Sequence, residues 1–93
     1  MLSRYYFNLR VHSDFKNSVN PPRVLVMVNA HQTSSAMEMA MNLFRSRAGI
    51  PAGADIRVVA QGNLGPSPAD DRKKVCSIEY LSWSGDLIKT EQL

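Results

Sequence analysis

Cysteine, histidine and long apolar runs are scarce in this chain of 93 residues. Its single cysteine, Cys76, excludes a disulfide within the chain and a cysteine metal cluster. The two histidines, His12 and His31, do not have the spacing of a metal-binding pair. No segment approaches the roughly 20 apolar residues of a membrane span. We therefore expect no metal, no cofactor and no membrane partner, and the lack of disulfides in so small a domain favours a reducing cytoplasm.

The excess of positive charge is also small, because the chain has 11 Lys and Arg and 8 Asp and Glu, which gives a net charge of +3. This balance favours a nucleic acid or an acidic protein as partner only slightly. The first ten residues are not expected to act as a signal peptide, because Arg4, Asn8 and Arg10 interrupt their apolar residues. With 44% apolar residues, the chain is expected to form a single domain over 1–93, with a frayed tail at 86–93.

One helix has both of its ends marked in the sequence, within the segment TSSAMEMAMNLFRSRAGI. Ser35 and Glu38 have the spacing of a capping box, which predicts the first turn. Gly49, followed by an apolar residue and by Pro51, predicts the C-terminal end. The helix is therefore predicted over 35–48. Its sheet-facing stripe is predicted to consist of Met37, Ala40, Met41, Phe44 and Ala48.

Four segments have the patterns of strands. Residues 4–12 alternate with period two, and residues 23–30 are apolar on both faces, which indicates a central strand. Further strands are predicted over 54–61 and 73–83. The order is β-β-α-β-β, which predicts an α+β fold with one helix packed on a sheet of about four mainly antiparallel strands.

The sequence also predicts which residues of the last two strands share a face and where the long loops lie. The third strand is expected to place Ile56, Val58 and Ala60 on one face. For the fourth strand two inward-facing sets remain open: Cys76, Ile78 and Tyr80, or else Val75, Leu81 and Trp83. The segments 13–22 and 62–72 are rich in Gly, Pro, Asn, Asp and Ser, so they are predicted as long loops and as recognition edges.

Residues suited to catalysis are sparse. No local motif gives either histidine a nucleophile or a metal partner. Gly62 and Gly65 are followed by Pro66 instead of a helix, which indicates a turn and not a phosphate-binding loop. We therefore expect that the protein is not an enzyme.

Two surfaces are candidates for binding. The outward face of the first strand interleaves the cations Arg4 and Arg10 with Tyr6, as proteins that bind single-stranded nucleic acid do. Further cations that would extend this surface are Arg23, Arg57, Arg72, Lys73 and Lys74. The alternative is an ordinary solvated strand protected by charges.

The second candidate surface is apolar. Met39 is expected to point sideways from the helix, where it would contact a partner or fill a gap at the margin of the core. Trp83 would either contact a partner or a second copy, or fold over the edge of the core.

The segment SSAMEMAMNLF, placed between VLVMVNA and IRVVAQG, resembles the corresponding part of small phage-encoded proteins, some of them anti-CRISPR inhibitors. The resemblance covers about residues 23–60 and is one of pattern. It implies a non-enzymatic inhibitor that binds a bacterial nucleoprotein complex in the host cytoplasm, without catalytic residues. Because the chain is basic, it departs from the acidic members that mimic DNA, and docking on an acidic protein face or on nucleic acid is implied instead.

The sequence thus predicts a small non-enzymatic protein-binding module, and its resemblance implies a phage inhibitor of a CRISPR-Cas complex, with a single-stranded nucleic-acid binder as the alternative. A homodimer is compatible with either prediction. The residues predicted to contact the partner are Arg4, Tyr6, Arg10, Met39, Arg57, Arg72, Lys73, Lys74 and Trp83.

Overall fold

A computed structural model describes residues 2–67 and 75–92, without the side chains of Val75 and Cys76. The elements are β1 (Ser3–Val11), a 3-10 helix (Ser13–Phe15), β2 (Arg23–Ala30), α1 (Thr33–Ala48), β3 (Ile56–Pro66), β4 (Val75–Leu81) and β5 (Leu87–Gln92). The strands form one antiparallel sheet with the order β3-β1-β2-β4-β5, and α1 packs on β1 and β2. The α+β fold is confirmed with five strands, since the tail predicted as frayed forms β5.

The N-terminal end of α1 differs from the prediction. The residue before the helix is Gln32, in an extended conformation, and its side chain makes no capping hydrogen bond. Ser35 already lies inside the first turn, so the predicted capping box with Glu38 is wrong. β2 ends at Ala30 as predicted, whereas the helix begins at Thr33, so only two residues connect the strand to the helix.

The C-terminal end of α1 is confirmed. Gly49 adopts the left-handed conformation, with φ of 63°. The backbone N–H groups of Gly49 and Ile50 both donate to the carbonyl oxygen of Arg45, the latter at 3.0 Å, which satisfies a carbonyl without a partner in the helix. Ile50 is buried after the turn and anchors it to the core.

The core lies between α1 and one face of the sheet. The helix buries Ala36, Ala40 and Phe44 completely, whereas Met37 and Met41 are half-buried at the margin. The predicted stripe is therefore correct for Ala40 and Phe44, but its centre is rotated toward Ala36. The sheet contributes the alternating residues Tyr5, Phe7, Leu9, Val11, Val24, Val26, Val28, Ile78 and Tyr80. Of the two sets considered for the fourth strand, the one with Ile78 and Tyr80 faces the helix.

β3 departs most from its prediction. It continues to Pro66, into the segment predicted as a loop. Val58 pairs with Leu9 and Ala60 pairs with Asn8, with a register shift between these two pairs. Since neighbouring residues of β1 face opposite sides, Val58 and Ala60 also lie on opposite faces. The prediction that they share a face is wrong, because a β-bulge at this point interrupts the alternation.

Tyr80 ties the last two strands to the helix. Its hydroxyl donates to Oε1 of Glu91 in β5 at 2.7 Å, and Nη1 of Arg47 in α1 donates to the same oxygen at 3.1 Å. Burial raises the pKa of Tyr80 above its usual value of 10.0, and the hydrogen bond to Glu91 raises it further. The contact explains how a strand with an exposed, polar sequence stays paired.

Tyr80→Phe is expected to lower the free energy of unfolding by about 1–2 kcal/mol near neutral pH, because Glu91 loses a hydrogen bond. A raised pKa in the folded state means that the neutral phenol stabilises the fold below pH 10.0, and that this stabilisation is lost as the pH rises further. The difference between the wild type and the variant should therefore shrink above pH 10.0 in urea unfolding. A difference that grows there would contradict this account.

Candidate functional site

The face of the sheet opposite α1 is here called the open face. Its residues on β1, β2 and β4 are Arg4, Tyr6, Asn8, Arg10, Arg23, Leu25, Met27, Asn29, Ser77, Glu79 and Leu81. Most of them are half-buried, because neighbouring side chains on the inner strands shield one another, and Asn29 is only 1% exposed. In the described part of the chain α1 is the one α-helix, and it lies on the other side. The alternation predicted for β1 is confirmed.

Three arginines lie in one row across the open face. Arg10 in β1 is the direct cross-strand partner of Arg23 in β2 and of Arg57 in β3. Directly opposite residues in such pairs have Cα atoms about 5 Å apart, and like charges there destabilise a sheet. This arginine row is therefore a local cost to the fold.

Two arginines of the open face, Arg4 and Arg23, are held by neutral acceptors. Nε of Arg4 donates to Oδ1 of Asn29 at 3.4 Å. Arg23 donates from Nη2 to Oδ1 of Asn8 at 3.4 Å and from Nη1 to the carbonyl oxygen of Trp83 at 3.1 Å. These bonds fix the guanidinium groups in place without neutralising their charge.

Contacts between opposite charges lie elsewhere among the described residues. Arg47 meets Glu91 on the helix side of the sheet, at 3.1 Å. Nδ1 of His12 lies 3.3 Å from a carboxylate oxygen of Asp14 and accepts the backbone N–H of the same residue. Within 2–67 and 75–92, no carboxylate comes within ion-pair distance of the arginine row.

Trp83 closes one end of the open face. The guanidinium carbon of Arg10 lies 5.2 Å from the centre of its ring, and Nζ of Lys16 lies 5.9 Å from it. The ring is half-buried and also packs against the margin of the core. Trp83 thus folds over the edge of the core and keeps one side of its ring beside two cations, while Arg23 donates to its carbonyl oxygen. That Trp83 contacts a partner stays a prediction.

Tyr6 lies across the backbone of β3. Its cross-strand partner is Gly62, and a Cβ atom added there would lie 2.5 Å from Cε1 of the Tyr6 ring. The absence of a Cβ thus lets the ring approach the backbone closely, and Gly62 lies within a strand where the sequence indicated a turn. The ring forms a platform near the middle of the open face.

Gly62→Ala is expected to cost about 1–2 kcal/mol of unfolding free energy, because the new methyl group displaces the Tyr6 ring. In a Tyr6→Ala background the same change should be neutral or slightly stabilising, since alanine restricts the unfolded chain. A double-mutant cycle by urea unfolding measures this coupling. Equal costs in the two backgrounds would show that the ring does not lie across the glycine.

The structure gathers some of the predicted contact residues and separates others. Arg4, Tyr6, Arg10 and Arg57 share the open face, with Trp83 at its end. Met39 lies on α1, half-buried against the core, on the other side of the sheet. The predicted residues Arg72, Lys73 and Lys74 lie outside the described residues.

Leu25, Met27 and Lys16 belong to this site and were not among the predicted contacts. Leu25 and Met27 alternate with buried valines in β2, and the strand has apolar residues on both faces for that reason. The pairing of Arg10 with Arg23 places them beside β1. This contact between two strands does not follow from the sequence of either strand alone. Lys16 reaches Trp83 from the loop between β1 and β2.

Within the described residues, no three His, Cys, Asp or Glu side chains are grouped to hold a metal ion. None of the described helices is both long and apolar enough to cross a membrane. Comparison of the chain with protein-family models, with curated proteins and with solved structures found no match.

Proposed function

We propose that this chain is a non-enzymatic binding protein whose open face docks on an acidic surface of a partner protein. The observation that carries the proposal is the arginine row, in which Arg57, Arg10 and Arg23 stand side by side at a cost to the fold. Carboxylates of a partner would remove this repulsion, so the same charges that destabilise the free chain favour the complex.

The organisation of these cations also favours binding. Arg4 and Arg23 are held by amide and carbonyl oxygens, so their side chains are ordered before a partner arrives. Ordering a long side chain costs about 0.5–1.5 kcal/mol on association, and that cost is partly met within the free chain. A guanidinium group fixed in this way can donate two hydrogen bonds to one carboxylate of the partner.

The remaining residues of the open face resemble the centre of a protein interface. Tyr, Trp, Met and Arg are enriched in such centres, whereas Lys and Asp are depleted. Tyr6, Leu25, Met27 and Trp83 supply half-buried apolar area beside the arginines. This combination of apolar area and fixed arginines supports a protein partner.

The wider role that we propose is inhibition of a bacterial CRISPR-Cas complex in the host cytoplasm by a phage-encoded protein. It is supported by the resemblance of residues 23–60 and by the basic charge of the binding face, which suits an acidic protein surface. The single cysteine is compatible with a reducing compartment.

A single-stranded nucleic acid is the second candidate partner. The observation that favours it is the Tyr6 ring, which lies across Gly62 on an open sheet beside arginines. Single-strand binders stack bases on such rings and hold phosphates with nearby cations.

One experiment separates the two partners. The immobilised protein is used to capture proteins from a bacterial lysate at about 50 mM and about 200 mM salt, while a labelled single-stranded oligonucleotide is titrated under the same conditions. We expect one stoichiometric acidic protein, recovered less well at the higher salt concentration. Salt-sensitive oligonucleotide binding without a captured protein would replace the first candidate by the second. Binding of neither would contradict both.

A further inference from the structure

Three cations meet at one tryptophan at the end of the open face. The guanidinium carbon of Arg10 lies 5.2 Å from the centre of the Trp83 ring, and Nζ of Lys16 lies 5.9 Å from it. Nη1 of Arg23 donates to the carbonyl oxygen of the same tryptophan at 3.1 Å. We call Arg10, Lys16, Arg23 and Trp83 the Trp83 corner. The exposed Arg57 adjoins it as the cross-strand partner of Arg10.

No described carboxylate neutralises the cations of the Trp83 corner. Glu79 lies on the open face, and Asp86 lies close to Trp83 in the chain. Asp86 accepts a hydrogen bond from Oγ of Ser84 at 3.0 Å. Neither carboxylate is within ion-pair distance of a lysine, arginine or histidine in the described part of the chain. The corner therefore presents uncompensated positive charge.

The guanidinium group of Arg23 is fixed and partly dehydrated. Nη1 and Nη2 donate to neutral oxygens of Trp83 and Asn8, which hold the group in place. Nε is buried and has no hydrogen-bond partner among the described residues. Because a poorly hydrated cation loses less on contact, an anion beside it is attracted more strongly than in water. A Cβ atom added at Gly85 would lie 3.6 Å from Nη1, so the glycine leaves that side of the group without a covering side chain.

We propose that the Trp83 corner binds a phosphate group in its dianionic form. A phosphate monoester carries a charge of about −1.5 to −2 at pH 7 and has three strong acceptor oxygens. A carboxylate or a phosphodiester has a single charge, so its attraction to three cations is about half as large. The proposal rests on the proposed function for the role of the open face, and it adds the chemistry that one end of this face recognises.

The test is a titration of the free chain with inorganic phosphate, followed by the fluorescence of Trp83, the single tryptophan. Ionic strength is held constant at about 50 mM with sodium chloride, because salt screens these charges. We expect a saturable change with a dissociation constant of about 1 mM or lower. Dimethyl phosphate and acetate, each with one charge, should bind at least about tenfold more weakly. Absence of saturable phosphate binding would overturn the proposal, and so would equal affinity for dimethyl phosphate.

Lys16→Gln and Lys89→Gln are matched variants. Each removes the charge of an exposed lysine beside an aromatic ring, but Lys89 lies by Tyr80 on the helix side of the sheet, with Nζ 4.9 Å from the ring centre. Phosphorus NMR line widths measure phosphate binding independently of the tryptophan. We expect Lys16→Gln to raise the dissociation constant about fivefold or more, and Lys89→Gln to raise it less than about twofold. Equal effects would show that net charge attracts phosphate without a site at the corner, which would overturn the proposal.

A phosphoserine peptide distinguishes the two sources of the phosphate group. Tighter binding of the peptide than of inorganic phosphate assigns the corner to a phosphorylated side chain of a partner protein, whereas equal or weaker binding assigns it to free phosphate. None of these titrations requires the captured partner. A chain that captures a partner but does not bind phosphate would therefore overturn this proposal alone, and one that binds phosphate but captures no partner would contradict only the proposed docking on a protein.

Discussion

Phe44→Ala is expected to lower the free energy of unfolding by about 3–5 kcal/mol, a large part of the roughly 5–14 kcal/mol that a domain of this length has. Phe44 is completely buried at the centre of the stripe that α1 presents to the sheet. Removing its ring leaves a cavity between the helix and β1 and β2, which the surrounding side chains can fill only in part. Urea unfolding followed by circular dichroism measures the effect.

Met41→Ala is the matched control on the same helix. Met41 is half-buried at the margin of the stripe, so its truncation should cost about 1 kcal/mol. The ratio of the two costs tests the rotation of α1, because the sequence pattern placed both residues in the sheet-facing stripe without distinguishing them. If Met41→Ala costs as much as Phe44→Ala, the helix is oriented as the sequence alone predicts.

The double substitution Arg10→Ala/Arg57→Ala is expected to weaken binding of the captured partner by at least about 100-fold. Both residues belong to the arginine row, and removing one member of a buried charge pair from an interface costs about 2 kcal/mol or more. The free energy of unfolding should change little, since relief of the repulsion within the row offsets removal of the cation–π interaction between Arg10 and Trp83. Isothermal titration calorimetry gives the affinity, and urea unfolding gives the stability.

Arg47→Ala/Lys89→Ala is the control for net charge. It also removes two positive charges, but from the helix side of the sheet. There Arg47 contacts Glu91, and Nζ of Lys89 lies 4.9 Å from the centre of the Tyr80 ring. We expect less than a threefold change in affinity, because exposed charges far from the interface act only through screened, long-range attraction. Equal losses of affinity in both double variants would mean that overall charge, and not the open face, determines binding.

The parts of the fold that local patterns specify could be predicted from the sequence. β2 has its predicted bounds, because a run of β-branched residues bounded by Pro22 and His31 has few alternatives. The alternation of β1 separates its two faces correctly, and Gly49 ends the helix where a left-handed residue is required. Each of these features depends on residues close together in the chain.

The parts that were mispredicted depend on partners elsewhere in the fold. β5 has a largely polar sequence and is held by pairing with β4 and by the contact of Glu91 with Tyr80. The bulge that separates Val58 from Ala60 is a property of the backbone and has no side-chain signature.

The candidate site shows the same division. The cations and Tyr6 on the outward side of β1 follow from alternation in a single strand. The arginine row does not, because it requires three strands in one register. The neutral acceptor for Arg4 is 25 positions away in the chain, and no local pattern links the two. The chemistry of the face was therefore predictable, but its preorganisation was not.

Hydroxyl-radical footprinting of the chain with its captured partner tests most directly whether the open face is the binding surface. Mass spectrometry reports the oxidation rate of each aromatic residue and methionine with and without the partner. We expect protection of Tyr6, Met27 and Trp83, and unchanged rates at Met37 and Met41, which are half-buried on the helix side. Protection of the two helix methionines with unchanged rates at Tyr6, Met27 and Trp83 would contradict the proposed function.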